Sequence, residues 1–250
     1  MNDTVLVRPN RSPQARQELI CLAFCGGGVG AYLPWAERLP SDTGLGAVCY
    51  PGREGRFGEE FAEDWDELAE DVVEALETQT DRPYVLFGHS LGGLLAFDVA
   101  VRLERRGGAL PSSLVISSAA APRPGQSPQD MWPTTPWAGC TDEEIVTWMR
   151  AFGILPQYAL DDPDLLDMAV ELMRADIRVR DSYAYEEGVT TGVPVQLLTG
   201  ETDEVIPRSA GERWSELARG GFRHDVLPGA HFYTPEVWET LPGRLTAIGC

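Results

Sequence analysis

Short apolar runs alternate with longer amphipathic ones along most of the chain. The runs at 18–24, 45–50, 83–87, 113–117, 193–198 and 222–227 are apolar and bounded by turn residues, which predicts buried strands. Helices are predicted at 31–39, 64–80, 94–106 and 207–218, with a last one starting near Pro235. In 64–80, Trp65, Leu68, Val72, Val73 and Leu76 fall on one face, and the acidic first turn suits a helix N-terminus. This alternation predicts a mostly parallel sheet with helices on both faces. At 250 residues the chain can fold as one large domain, expected to span 1–250.

The rhythm breaks at 122–187. Residues 122–139 are rich in Pro, Gly, Ser and Thr, and two helical stretches, 141–152 and 162–185, follow without a strand between them. Met131, Trp132, Trp137, Trp148, Met149, Phe152, Met168 and Met173 lie here. Such a set can simply be core. Alternatively it lines a helical lid inserted over a site, where adaptable Met and aromatic side chains would accept an acyl chain.

Composition narrows the partners. A net charge of -19 argues against nucleic acid and against anionic membrane. All the basic residues are arginine, which excludes a Lys nucleophile or Schiff base. The five cysteines are odd in number and lack metal-ligand spacing, so neither a metal site nor a cofactor is expected, and a reduced, cytoplasmic protein is. Residues 1–16 form a polar segment without the apolar stretch of a signal peptide, and no apolar run is long enough to cross a bilayer.

The chemistry centres on Gly88-His89-Ser90-Leu91-Gly92-Gly93, a G-x-S-x-G pattern between an apolar run and an amphipathic one. A serine on a sharp strand-to-helix turn is exposed, and the turn tolerates no bulk two residues to either side. This is the nucleophile elbow of a serine hydrolase. Cys25-Gly26-Gly27-Gly28 follows the first strand and can aim backbone N–H groups inward, making Cys25 and Leu91 the candidate oxyanion donors. The bland reading of that loop is a tight turn; a dinucleotide loop fails because G-x-G-x-x-G is not met.

Three histidines compete for the base. His89 is poorly directed toward its neighbour Ser90, and His224 sits inside a strand. His231 occupies the loop ending the last predicted strand, where catalytic groups of an open α/β sheet gather. The acid should precede it in the chain, on the loop after the preceding strand. Asp203 is best placed there, with Glu201 and Glu204 as competitors. The expected triad is therefore Ser90, Asp203 and His231.

With these residues in place, the chain resembles the stand-alone type II thioesterases that accompany polyketide synthases and non-ribosomal peptide synthetases. The likeness rests on Cys25-Gly26-Gly27, Tyr50-Pro51-Gly52-Arg53-Glu54, the elbow, Arg174-Ala175-Asp176, Gly200-Glu201-Thr202-Asp203 and Pro228-Gly229-Ala230-His231-Phe232. The resemblance implies an α/β-hydrolase fold with a helical lid at 122–187. It also implies the same triad and, as substrate, an acyl group thioesterified to the phosphopantetheine arm of an acyl or peptidyl carrier protein. A carboxylester hydrolase or an acyltransferase would use the same triad. Ala23-Phe24-Cys25 departs from the family's usual proline, aromatic or histidine, and alanine, which alters the side chains beside the acyl group. Candidate substrate contacts are Phe24, Gly26, Gly27, Trp132, Met149 and Phe232. Arg53 and Arg56 are either solvated surface or receive the arm or the carrier, and the latter is the expectation carried forward. Carrier and enzyme are both acidic, so recognition should be weak and local, with the enzyme a monomer.

Overall fold

Burial on both faces is what makes these strands read as unbroken apolar runs. The computed structural model describes residues 4–9, 14–155 and 157–248, so part of the N-terminal polar segment, and Cys250, lie outside it. Among the described residues, seven strands form one sheet: β1 (Leu6–Val7), β2 (Gln17–Leu22), β3 (Thr43–Val48), β4 (Tyr84–His89), β5 (Ser113–Ser117), β6 (Val195–Gly200) and β7 (Phe222–Leu227). Their spatial order is β1-β3-β2-β4-β5-β6-β7. Only β1 is antiparallel to its neighbour. β3, β4, β5 and β6 are buried throughout, whereas β7, at the edge, exposes Arg223, His224 and Val226.

Helices α1 (Trp65–Gln79) and α2 (Leu91–Arg106) pack against each other and flank the elbow strand in sequence. Asp64 caps α1 by accepting the Glu67 N–H at 2.9 Å, and α2 stops at Gly107, whose φ of 67° suits glycine. The interruption of the strand rhythm is four helices between β5 and β6: α3 (Pro128–Met131), α4 (Asp142–Ala151), α5 (Gln157–Asp161) and α6 (Pro163–Asp181). A capping box between Thr141 and Glu144 starts α4. Helices α7 (Ala210–Leu217) and α8 (Pro235–Thr240) complete the chain. None of the described helices is long and apolar enough to cross a membrane.

Two local expectations are corrected. The helix expected at 31–39 is a pair of 3-10 turns, Val29–Ala31 and Leu33–Glu37. Its buried rings act as tertiary anchors, with Tyr32 Oη donating to the Leu22 carbonyl at 2.9 Å and Trp35 Nε1 to the Trp238 carbonyl at 3.0 Å. The N-terminal polar segment, for which no strand was expected, contains β1, tied down by an Arg8–Glu18 ion pair at 2.8 Å. Two residues are too few to show a period.

The topology fixes where chemistry can happen. The chain leaves β2 for β3 on one side and returns to β4 on the other, so the loops after β2 and β4 part at their C-terminal ends. That divergence opens the crevice in which ligands of open α/β sheets bind. Leu22 of β2 stands level with Gly88 of β4, bringing the glycine-rich loop and the elbow to the same height.

Candidate active site

The elbow is built by steric exclusion. A Cβ on Gly88 would stand 1.8 Å from the Gly92 carbonyl oxygen, and one on Gly92 2.3 Å from that of Leu22. Side chains at either position would drive the helix start away from the sheet. Ser90, squeezed between them, has φ 55° and ψ -117°, a conformation costing about 1–3 kcal/mol that the surrounding packing holds in place. It is also partly exposed, although its strand is fully buried.

His231 bridges the two other expected members. Its Nε2 lies 3.1 Å from Ser90 Oγ, and its Nδ1 lies 3.1 Å from Asp203 Oδ2 and 3.3 Å from Oδ1. With Nδ1–H donating to the carboxylate, Nε2 is left to accept the serine proton. Burial opposes ionisation of Asp203, but the His231 hydrogen bond and charge, the Val205 N–H at 2.8 Å and the Ser118 hydroxyl outweigh it. They hold the carboxyl below its ordinary value. Glu201 and Glu204 are exposed and make no bond to His231, which leaves Asp203 alone among the three candidates.

A second serine–histidine contact lies behind the first. His89 Nδ1 is 2.9 Å from Ser117 Oγ, but both side chains are inaccessible to solvent. Burial first, and the nearby His231 second, push the His89 pKa well below its ordinary value, so this ring is neutral. Ser117 Oγ lies 2.7 Å from Tyr233 Oη, and Ser118, with φ 44°, brings its Oγ to 3.4 Å from the same oxygen. A polar chain thus runs from His89 through Ser117, Tyr233 and Ser118 to Asp203. Ser117, Ser118 and Tyr233 were not foreseen in the sequence. Positive φ at Ser118 and Tyr233 marks them structurally, but no residue pattern announces it. His224, by contrast, only bonds Thr199 Oγ1 through Nε2 at 2.8 Å.

The loop expected to supply an oxyanion donor follows β2. Gly27 N–H donates to the Phe24 carbonyl at 2.8 Å, closing a tight turn. Because a peptide unit is planar and trans, turning the Phe24 carbonyl into the turn points the Cys25 N–H out of it. Leu91 is the first residue of α2, and its N–H has no intrahelical acceptor. Contact of Gly92 with the Leu22 and Ala23 carbonyls holds the start of α2 against the root of that loop.

Aromatic side chains surround the triad. Phe24 meets Phe232 edge-on at 4.9 Å and His89 at 5.7 Å, and Phe232 meets His231 at 5.2 Å. From the inserted helices, Phe152 reaches within 6.2 Å of the His231 ring, and Met173 and Ile154 pack over Gly26. Met149 is wholly buried in α4, and Trp132 lies under the Arg180 guanidinium at 5.4 Å, where a cleft is shared with Pro133, Thr135 and Trp137. Phe24, Gly26, Gly27 and Phe232 therefore border the crevice, while Trp132 and Met149 sit within the insertion.

The expectation that Arg53 and Arg56 receive the phosphopantetheine arm or the carrier surface is corrected. Arg56 is buried and committed to Asp71 at 2.6 Å, to Glu59 and to the Cys49 carbonyl. Arg53 is buried against Asp176 and donates to the Gly27 carbonyl at 2.9 Å. Burial alone would weaken the charge on Arg53, but Asp176 beside it holds the guanidinium above its usual value. Neither guanidinium is presented to solvent, because each was paired on folding.

Sheet order, the strained elbow and the chain order of serine, aspartate and histidine define an α/β-hydrolase of the serine-hydrolase kind. The thioesterase-domain family matches residues 17–245; the chain belongs to it, and is a thioesterase. It is 34% identical over 220 residues to AMB antimetabolite synthetase AmbE of Pseudomonas aeruginosa, a match covering 88% of this chain but 10% of AmbE. It is 26% identical over 230 residues to gramicidin S biosynthesis protein GrsT of Aneurinibacillus migulanus, covering 92% of this chain and 88% of GrsT. Among solved structures, the type II thioesterase BorB from the borrelidin biosynthetic cluster matches with a TM-score of 0.79 at 32% identity, covering 99% of this chain and 97% of BorB.

Proposed function

We propose that this enzyme hydrolyses acyl thioesters carried on the phosphopantetheine arm of acyl or peptidyl carrier proteins, with Ser90 as nucleophile, His231 as base and Asp203 as its orienting acid. The observation that carries the reading is His231 within 3.1 Å of both Ser90 Oγ and Asp203 Oδ2. Likeness to GrsT and BorB over nearly the whole chain supports the biosynthetic setting.

Ser90 Oγ attacks the thioester carbonyl carbon while its proton passes to His231 Nε2. The carbonyl oxygen becomes an oxyanion facing the Cys25 and Leu91 N–H groups. Collapse breaks the C–S bond, and the leaving sulfur takes the proton from His231. A water then gives a proton to His231 and attacks the acyl-enzyme, releasing a carboxylic acid and returning the proton to Ser90. Asp203, kept ionised, stabilises the imidazolium formed in each half.

Residues 122–187 act as the lid of this site, with Phe152, Ile154 and Met173 as its inner surface, and removal of mismatched or stalled acyl groups is the task such a site suits. Four free cysteines among the described residues, Cys21, Cys25, Cys49 and Cys140, suit a reducing, cytoplasmic setting.

The test is release of short, branched, long and aminoacyl groups from carrier-protein thioesters, with the matching oxygen esters alongside. Ser90-dependent release favouring thioesters over oxygen esters of the same acyl chain is expected. Preference for the oxygen esters, or transfer to an acceptor in place of hydrolysis, would overturn the substrate assignment.

A further inference from the structure

The motifs at 50–54 and 174–176 are not used by the triad, yet the structure brings both onto the oxyanion loop. Asp176, on the fourth inserted helix α6, accepts the Gly26 N–H through Oδ2 at 2.8 Å across 150 positions of sequence. The same carboxylate receives Arg53 through both guanidinium ends, Nη1 to Oδ2 at 3.0 Å and Nη2 to Oδ1 at 2.5 Å. Arg53 Nη1 also donates to the Gly27 carbonyl, so one ion pair holds an N–H and a C=O on successive residues of the loop. One turn before Asp176 on α6, Met173 closes over Gly26, where a Cβ would stand 2.7 Å from Met173 Cε. Gly26 has φ 76°, open to glycine, so its conformation is free until something outside the loop fixes it.

Glu54 holds the other side of the same loop. Its carboxylate accepts the Val29 N–H at 2.7 Å and the Gly30 N–H at 2.9 Å. The loop between Gly26 and Gly30 is thus gripped by two adjacent side chains of the 50–54 turn and by one from the inserted helices.

We infer that Asp176 and Arg53 are positioning residues for the oxyanion hole, and that through them α6 must be seated for the Cys25 N–H to face the reacting carbonyl. The inference rests on the serine-hydrolase reading above and adds to it a dependence of catalysis on the inserted helices. The geometry is specific. With Gly26 N–H and Gly27 C=O both pinned, the turn that aims the Phe24 carbonyl inward cannot rotate, and the Cys25 N–H is held outward. Stability alone does not account for the pair. Arg53 Nε is buried without a partner, and a buried ion pair is commonly replaced by apolar residues of similar volume without loss of stability.

The experiment uses the full chain and a soluble acyl-pantetheine thioester. The double variant Arg53→Met/Asp176→Leu removes both charges together and leaves neither stranded. It is expected to stay folded, with melting lowered by the loss of the bonds to the Gly26 N–H and the Gly27 carbonyl, yet lose kcat by roughly 10- to 100-fold with little change in KM, the scale of a misplacement of about 1 Å. Affinity for an acyl trifluoromethyl ketone, whose adduct with Ser90 carries the oxyanion, should fall in parallel. A folded double variant with wild-type kcat and ketone affinity overturns the inference. If the double variant does not fold, Arg53→Lys decides: it keeps the charge but lacks the planar fork that spans Asp176 and the loop carbonyl. It should then show the same parallel loss of kcat and ketone affinity, and wild-type values would overturn the inference. Wild-type hydrolysis that survives Ser90→Ala would instead sink the serine-hydrolase reading itself, and is read separately from either variant.

Discussion

The two halves of the active site are held in different ways. On the side proposed for the nucleophile, Ser90, His231 and Asp203 sit on loops that continue directly from β4, β7 and β6, and the elbow is fixed by glycines within two residues of the serine. On the side proposed for the oxyanion, the glycine-rich loop closes one turn of its own and takes its other bonds from outside. Arg53, Glu54 and Asp176 grip it from a neighbouring turn and from an inserted helix. The first half is held by the sheet itself; the second is held by contacts from the 50–54 turn and from α6.

This contrast orders the expected effects of substitution. Removing the nucleophile in Ser90→Ala should lower kcat by roughly 10⁶-fold at unchanged fold, measured as thioester turnover beside a melting curve. Asp203→Asn keeps the shape but lets His231 adopt the wrong tautomer, and kcat should fall by about 10⁴-fold. A loss below tenfold in that variant would break the nucleophile half of the comparison. On the other side, Glu54→Gln replaces one acceptor of the Val29 and Gly30 N–H groups by a donor. It should cost about 1 kcal/mol in denaturant unfolding and a smaller share of kcat than either triad change.

The smallest effect expected is one of pH. Asp203 has a lowered pKa in the folded protein, so its contribution to stability is present above the unfolded carboxylate pKa and is lost as pH falls through the lower, folded value. Ser118→Ala removes one hydroxyl that lowers this pKa, and at φ 44° alanine is no more strained than serine. Acid unfolding of that variant should begin at higher pH than in the wild type, read as melting temperature between roughly pH 7 and pH 3. Superimposable acid limbs would show that the Ser118 bond contributes nothing to holding Asp203.

Legibility in the sequence follows the same division. The meeting of Ser90, His231 and Asp203 was readable because each position depends on local order: a strand end, a glycine spacing and a place along the chain. The sheet was readable because parallel strands buried on both faces leave long apolar runs, as in β4 and β5. Arg53 and Arg56 were misread because charge on a Gly-rich turn looks solvent-facing until its partners, Asp176 and Asp71, are brought in from 123 and 15 positions away. The turns around Tyr32 and Trp35 were misread as one helix because rings anchored to distant carbonyls override the local pattern. The polar chain behind Asp203 left no trace at all, since single serines and a tyrosine carry no period.

The central claim is that the acyl group passes through Ser90. Mixing the enzyme with an acyl-pantetheine thioester, quenching in acid during turnover and mapping the acyl mass by peptide mass spectrometry tests it directly. An adduct on the peptide at Ser90, absent in Ser90→Ala together with turnover, is the predicted result. Turnover that persists in Ser90→Ala, or an adduct carried instead by Ser117 or Cys25, would contradict it.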